Sequence, residues 1–456
     1  MKFLRQSWND VLFKGLILLA VFDGVRSYMV IIGPQLSFLK EACTFLLLIS
    51  VLLCGIKPSK DEYLQSNIIF FIYLLTFGTL IAKFTNVNIQ RIFSFTKGRD
   101  DIPSGYAIHF KTMEAFIVFC LVFFYEKITG KQLKVLIRFF LHCCIAYVGL
   151  TLVSFFVVDL SFIFDAHWEG RISIGYPTSD TQVLSFALLI LLFEKHLFKS
   201  ALRYIYIIIC AIGIVMQATA TGLGSLIVLF AFYGIYKFSS PSGWIQLFQL
   251  KTVAVLVVVL LSVLVVNVVL QSRGKDLTAF FKLFELKIDY ISNKAINAVS
   301  VGQSKDITVA SDPEEAMSEE IRKQAFANSF SYRNEVINYI FGGGPALGAI
   351  VENQNYFLIR AYGYLGLLLY YGWLVYLAVL AMRYYKVERF GKILLCSIII
   401  LVLSNLSTVT TYMFAINAAF SLITIYCLQG INQEKKARIA EYKEEYEKIN
   451  RYGFDS

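Results

Sequence analysis

Residues Ser331–Gly366 read SYRNEVINYIFGGGPALGAIVENQNYFLIRAYGYLG. The stretch is polar at its start and apolar at its end, and the apolar run continues to residue 382. A run that long crosses the hydrocarbon of a bilayer as a helix. Ser331 is placed to cap a short helix with Arg333 in its first turn, and Gly342-Gly343-Gly344-Pro345 reads as a helix stop and tight turn. The cluster lacks the strand and the following lysine of a phosphate-cradling loop. Glu352, Asn353 and Arg360 then fall at or inside the mouth of the run. Polar side chains are costly in lipid, and they usually mark a substrate path. Glu352 and Asn353 have a second reading as caps of the helix that begins there.

Working outward, the same hydrophobic pattern recurs along the chain. With 57% hydrophobic and 16% charged residues and a mean hydropathy of +0.64, the chain is outside the range of soluble globular proteins. The ~20-residue rule gives about twelve spans, at 11–32, 36–55, 67–84, 106–126, 133–158, 180–197, 201–218, 220–237, 252–270, 357–382, 391–408 and 410–428. No ten-residue alternation repeats, which argues against a membrane β-barrel. The expected fold class is therefore all-α, a polytopic membrane helix bundle with one large, partly helical external loop. It divides into a transmembrane bundle over 1–270, the loop over 271–356, further transmembrane helices over 357–428 and a charged tail over 429–456.

Basic residues orient such a bundle. Lys2, Arg5 and Lys14, then Lys57/Lys60, Lys127/Lys131/Lys134, Lys195/Lys199/Arg203, Lys237/Lys251 and Arg383/Lys386/Arg389/Lys392 fall on one side if both termini are cytoplasmic. The net charge of +10 follows from that topology rather than from nucleic-acid binding. The 85–105 connection, with Arg91, Lys97 and Arg99, runs against the pattern. The first span has no small-residue cleavage site and contains Asp23 and Arg26, so it is not read as a signal peptide. Asp23 and Arg26 are spaced to pair on one helix face or to face a substrate groove. The eight cysteines lie in or beside spans and read as small buried hydrophobes, not as a disulfide framework.

Within the large loop, Leu277–Val299 places apolar residues at helical spacing, the pattern of a surface-lying amphipathic helix. A shorter external segment, SFIFDAHWEGRISIGYPTSD at 161–180, sets Arg171 between glycines just before a span. The turn ATATGLG at 218–224 is rich in small residues that let helices approach closely, and Thr219, Thr221 and Ser225 are placed to bond across helices or line a pocket.

Three features together resemble the bacterial O-antigen polymerase and O-antigen ligase superfamily. One is the architecture, with many spans and a large external loop late in the chain. The second is the run GRISIGYPTSDTQVLSF at Gly170–Phe186. The third is Arg333 followed, ten residues intervening, by Gly344, then Glu352-Asn353 and Gly363-Tyr364-Leu365-Gly366 inside the next span. The chain departs from the ligase pattern, which has His-Asn where Glu352-Asn353 stands here. It also has Gly222 after Thr219-Ala220-Thr221, where many members have an arginine.

The resemblance implies a multi-pass protein of the bacterial inner membrane. Its substrate would be a polyprenyl-diphosphate-linked oligosaccharide, with membrane lipid, a flippase and a chain-length regulator as partners, and no nucleic acid or cofactor. Breaking a sugar–phosphate bond leaves negative charge on the diphosphate, and permanently charged guanidinium groups can hold it in place of a metal. Arg171 and Arg333 are the leading candidates and Arg360 the third. Glu352 is the candidate base for the acceptor hydroxyl. His167, Asn353 and Gly344 complete the candidate substrate-binding set. Each has a bland counterpart: an arginine anchored at the lipid headgroups, a solvated loop histidine, a cap, a helix stop. His109, His142 and His196 show no metal-ligand spacing. The rival readings are a metal-dependent glycosyltransferase using Asp100-Asp101, a lipid-linked oligosaccharide flippase, and an O-antigen ligase.

Overall fold

The computed structural model describes residues 2–26, 130–158, 171–238, 336–342, 353–385, 389–406, 408 and 410–452, with isolated positions at 39, 42, 43, 46, 49 and 285. The expected spans at 67–84, 106–126 and 252–270, the helix over 277–299, the 85–105 connection and Asp100-Asp101 lie outside the described residues. So do Arg333, Glu352, His167 and Gly344.

Every regular element among the described residues is helical. In chain order they are α1 (Lys2–Val21), α2 (Asp23–Arg26), α3 (Gly130–Leu152), α4 (Pro177–Phe193), α5 (Ser200–Met216), α6 (Ala220–Phe238), α7 (Val336–Phe341), α8 (Gln354–Tyr385), α9 (Arg389–Asn405) and α10 (Phe414–Tyr452). A π-helical turn, Val153–Val157, prolongs α3, and a 3-10 turn, Thr410–Tyr412, precedes α10. Gly130–Val157, Gln354–Tyr384 and Phe414–Lys435 are long and apolar enough to cross a membrane. Pro177–Phe193, Ser200–Met216 and Ala220–Ile235 are shorter apolar helices, at or just below the lower end of the spanning range. The chain is an all-α protein with several membrane-type helices.

Hydrophobic character on all sides explains where α4 sits. Every residue of PTSDTQVLSFALLILLF except Thr178 is buried, the pattern of a core helix. It packs against α3, α5, α6, α9 and α10. Pro177 opens it, where the missing N–H costs nothing. At its other end Arg203, from the first turn of α5, donates to the carbonyls of Leu191 and Leu192 at 2.6 and 3.2 Å, closing orphan acceptors of the last turn. The outer helices are one-sided instead. Leu368, Val375, Val379 and Met382 form one exposed apolar stripe on α8, the surface lipid would cover.

Short connections fix the directions of the helices. Arg389, at the start of α9, pairs with Glu194, at the end of α4, at 2.8 Å, so α9 runs antiparallel to α4 and α8 runs parallel to it. One end of the bundle therefore carries Lys131, Lys134, Lys195, Lys199, Arg383, Arg389 and Lys392. The opposite end, the polar end, gathers residues 152–158, 171–180, 216–222, 353–356, 405, 406, 408 and 410–414.

Two expectations shift. The anticipated single span at 11–32 is a helix that begins at Lys2 and breaks at Phe22, after which Asp23 opens the short α2. The tail expected over 429–456 continues α10 as helix to Tyr452, about 25 Å beyond the apolar part at 1.5 Å per residue.

Candidate functional site

The entrance to α8 is built from two glycines. The short α7 stops at Gly342, whose φ of +83° is in the left-handed region, as expected for a glycine helix stop. Opposite it, α8 breaks at Gly363, with φ +70° and ψ −174°, a region that essentially only glycine occupies. The two breaks interlock. A Cβ on Gly342 would strike the Ala361 carbonyl and the Tyr362 nitrogen. A Cβ on Gly363 would strike the Ile340 carbonyl and come within 2.6 Å of the Gly342 nitrogen. Thus the end of α7 docks into a kink in α8. One turn before that kink Arg360 is fully buried, the largest side chain wholly removed from the surface among the described residues.

Asn353 caps α8. Its Oδ1 accepts from the backbone N–H of Asn355 at 2.9 Å and of Tyr356 at 3.4 Å, while Nδ2 donates to the Leu406 carbonyl at 3.1 Å. The side chain is thus engaged in structure on both sides, the cap reading of this residue. Next to it lies a polar network that sequence reasoning missed. Gln354 Oε1 accepts from the Thr411 N–H at 3.0 Å and the Thr411 hydroxyl at 3.1 Å. Thr410 donates to Asn405 Oδ1 at 2.5 Å, Tyr370 donates to the same oxygen at 3.4 Å, and Asn417 Nδ2 donates to the Thr410 carbonyl at 2.5 Å. These residues tie α8, α9 and α10 together at the polar end, all of them buried.

A second network surrounds the start of α4. Tyr147 donates to Asp180 Oδ2 at 2.8 Å, and Gln217 Nε2 donates to the Tyr147 oxygen at 3.2 Å. Thr219 donates to the Thr181 hydroxyl at 3.1 Å and accepts from the Gly222 N–H at 3.1 Å. Ser225 donates to Gln182 Oε1 at 3.3 Å. The expectation that Thr219 and Ser225 bond across helices is met, and Gly222 permits the approach: a Cβ there would lie 2.9 Å from Thr181 carbons. For Tyr147, Asp180, Gln182 and Gln217 the only sequence signal was polar residues interrupting apolar spans.

Arg171 belongs to the irregular segment 171–176 that leads into α4. The Ile172 N–H donates to the Met216 carbonyl at 3.0 Å, and Ser173 Oγ accepts from the Gly175 N–H at 3.2 Å. Arg171 is half-buried; burial pulls its guanidinium down from its ordinary value, and nearby Tyr176 acts in the opposite direction. Since α4 and α8 run parallel, Arg171 and Arg360 stand at the same end of the bundle. Of the expected site, then, the described residues place Arg171, Arg360 and Asn353 at one end. Among the described residues no three His, Cys, Asp or Glu side chains are arranged to hold a metal ion.

What fold and site together define is a multi-pass helical membrane protein with buried polar networks and buried or half-buried arginines at one end. Compared with known proteins, the chain matches no family model and no curated protein sequence.

Proposed function

We propose that the protein is a polysaccharide polymerase. It takes the growing glycan from its polyprenyl diphosphate and attaches it to a new lipid-linked repeat unit at the external membrane face. The observation that carries this reading is the pair of arginines withdrawn from water at the polar end. Arg171 is half-buried before α4, and Arg360 is fully buried beside the Gly342–Gly363 crossing. Guanidinium groups in a dry, fixed setting are suited to the charge that develops on a diphosphate leaving group. The basic residues flanking the opposite end favour the cytoplasm for that end, which puts the polar end outside.

In this reading Arg171 and Arg333 hold the diphosphate, Arg360 assists, and Glu352 takes the proton from the attacking hydroxyl. The displacement is single and inverts the anomeric centre, since no covalent enzyme intermediate is needed. Asn353 shapes the mouth of α8 through its cap. The resemblance to the O-antigen polymerase and ligase superfamily favours the same assignment, and Glu352 in place of histidine favours polymerase over ligase. A flippase is the alternative in another class, favoured by the number of spans expected from hydropathy.

The test is the surface-glycan ladder of the source strain after deletion of the gene and its restoration. Deletion is expected to leave single repeat units, with wild type but not Arg171→Ala or Arg333→Ala restoring the ladder at equal membrane levels. Loss of even the single external unit would point to the flippase instead.

A further inference from the structure

Asp180 has no part in the transfer just described, yet its surroundings are specific. A carboxylate buried among membrane helices is costly unless it is hydrogen bonded. Here the donors run in one direction, from Gln217 on the stretch after α5, through Tyr147 on α3, to Oδ2 of Asp180 on α4. Oδ2 is the terminal acceptor of this chain of donors, which ties the start of α4 to α3 and to the stretch after α5. Its other oxygen, Oδ1, makes no hydrogen bond among the described residues.

Two glycine backbones cover that side. A Cβ on Gly24 would lie 2.5 Å from Oδ1, 2.8 Å from Oδ2 and 2.7 Å from the Tyr176 nitrogen. A Cβ on Gly175 would strike Oδ2 and come within 3.0 Å of the Val25 nitrogen. Only glycine, which has no Cβ, fits against the carboxyl group so closely. Gly24 belongs to α2, and Gly175 to the segment that carries Arg171. The Asp180 carboxyl group therefore sits between α2 and that segment, with Tyr147 of α3 and Gln217 behind it.

We propose that Asp180 is the positioning residue for Arg171. Wedged between Gly24 and Gly175 and backed by Tyr147 and Gln217, its carboxylate fixes the 171–176 segment so that the guanidinium meets a diphosphate group. The ligand in this inference rests on the function proposed above; the mechanical part does not.

The test uses full-length protein in nanodiscs with farnesyl diphosphate as the probe. Arg171→Ala and Asp180→Asn are each expected to weaken probe binding about tenfold, and the double variant no more than Arg171→Ala alone, the non-additivity of coupled residues. Tyr147→Phe, which keeps the ring, is expected to fall between wild type and Asp180→Asn. Additive losses in the double variant would overturn the proposal. A second readout needs no diphosphate. Arg171→Cys in a cysteine-free background is labelled with an impermeant maleimide, with and without Asp180→Asn, and Leu406→Cys at the same end serves as control. Asp180→Asn is expected to change the rate at position 171 about fivefold or more and leave position 406 unchanged, as for sites with no shared partners. An unchanged rate at 171, or equal changes at both positions, overturns the positioning role. If the wild type fails to bind the probe while the rate at 171 still shifts, the diphosphate reading falls and the clasp stands.

Discussion

Gly363 and Gly372 lie in the same helix and differ in what surrounds them. Gly363 adopts a backbone conformation closed to other residues and faces the Ile340 carbonyl, whereas a Cβ on Gly372 meets nothing within 4 Å. Gly363→Ala is expected to cost roughly 1–3 kcal/mol and to lower the melting temperature in detergent. Gly372→Ala is expected to leave it unchanged or raise it slightly, by up to about 1 kcal/mol. Equal effects of the two would refute the interlocked crossing. At this scale the sequence spoke unevenly. Asn353 before an apolar run is legible as a cap, because capping is local. The helix stop at Gly342 was legible for the same reason. Asp180 was not, because its partner Tyr147, and Gln217 which bonds Tyr147 in turn, lie 33 and 37 positions away in the chain and only packing brings them together.

At the scale of elements, hydropathy anticipated α3 to α6, α8 and α9 with boundaries a few residues off, and the start of α10 though not its continuation to Tyr452, since a run of apolar residues is a property of one segment. What it misses are breaks within a run. The kink of α8 at Gly363 does not interrupt hydrophobicity, and the polar pair Asp23 and Arg26 marks the break of the first helix at Phe22 without saying that the helix stops there. Contacts between elements also escape it, and the Glu194–Arg389 pair is one. Glu194 is buried, with its side chain 1% exposed, while that of Arg389 keeps 33%. Arg389→Leu is expected to destabilise the protein by about 2–3 kcal/mol, because a buried carboxylate loses its partner. Glu194→Leu combined with Arg389→Leu is expected to recover most of that loss, read as the detergent melting temperature. A double variant as unstable as the single one would contradict the pairing. The α8–α10 network gives a parallel expectation. Gln354→Leu strands the Thr411 N–H and hydroxyl in a buried site and is expected to cost about 1–3 kcal/mol. Gln354→Glu keeps the acceptor and is expected to keep the fold. If Gln354→Leu melts with the wild type, the network does not hold the helices together.

For the whole molecule, the decisive asymmetry is between the two ends. Lysines and arginines flank the helices at one end, and buried polar networks with Arg171 and Arg360 occupy the other. If the basic end faces the cytoplasm, a cysteine at Lys199 or Arg383 is shielded from an impermeant maleimide in intact cells, and one at Leu406 is labelled. The reverse pattern would invert the orientation and remove the polar end from the external face. The helical membrane class was legible from composition because a bilayer demands long apolar helices and little else satisfies that demand. Substrate and reaction are less so, because they depend on a few polar residues whose meaning is set by neighbours distant in sequence. The most direct measurement is turnover by the purified protein in liposomes supplied with a polyprenyl-diphosphate-linked single repeat unit. The account predicts lipid-linked products of two or more units, formed by wild type and lost in Arg171→Ala. Movement of the single unit across the bilayer with no new glycosidic bond would contradict it.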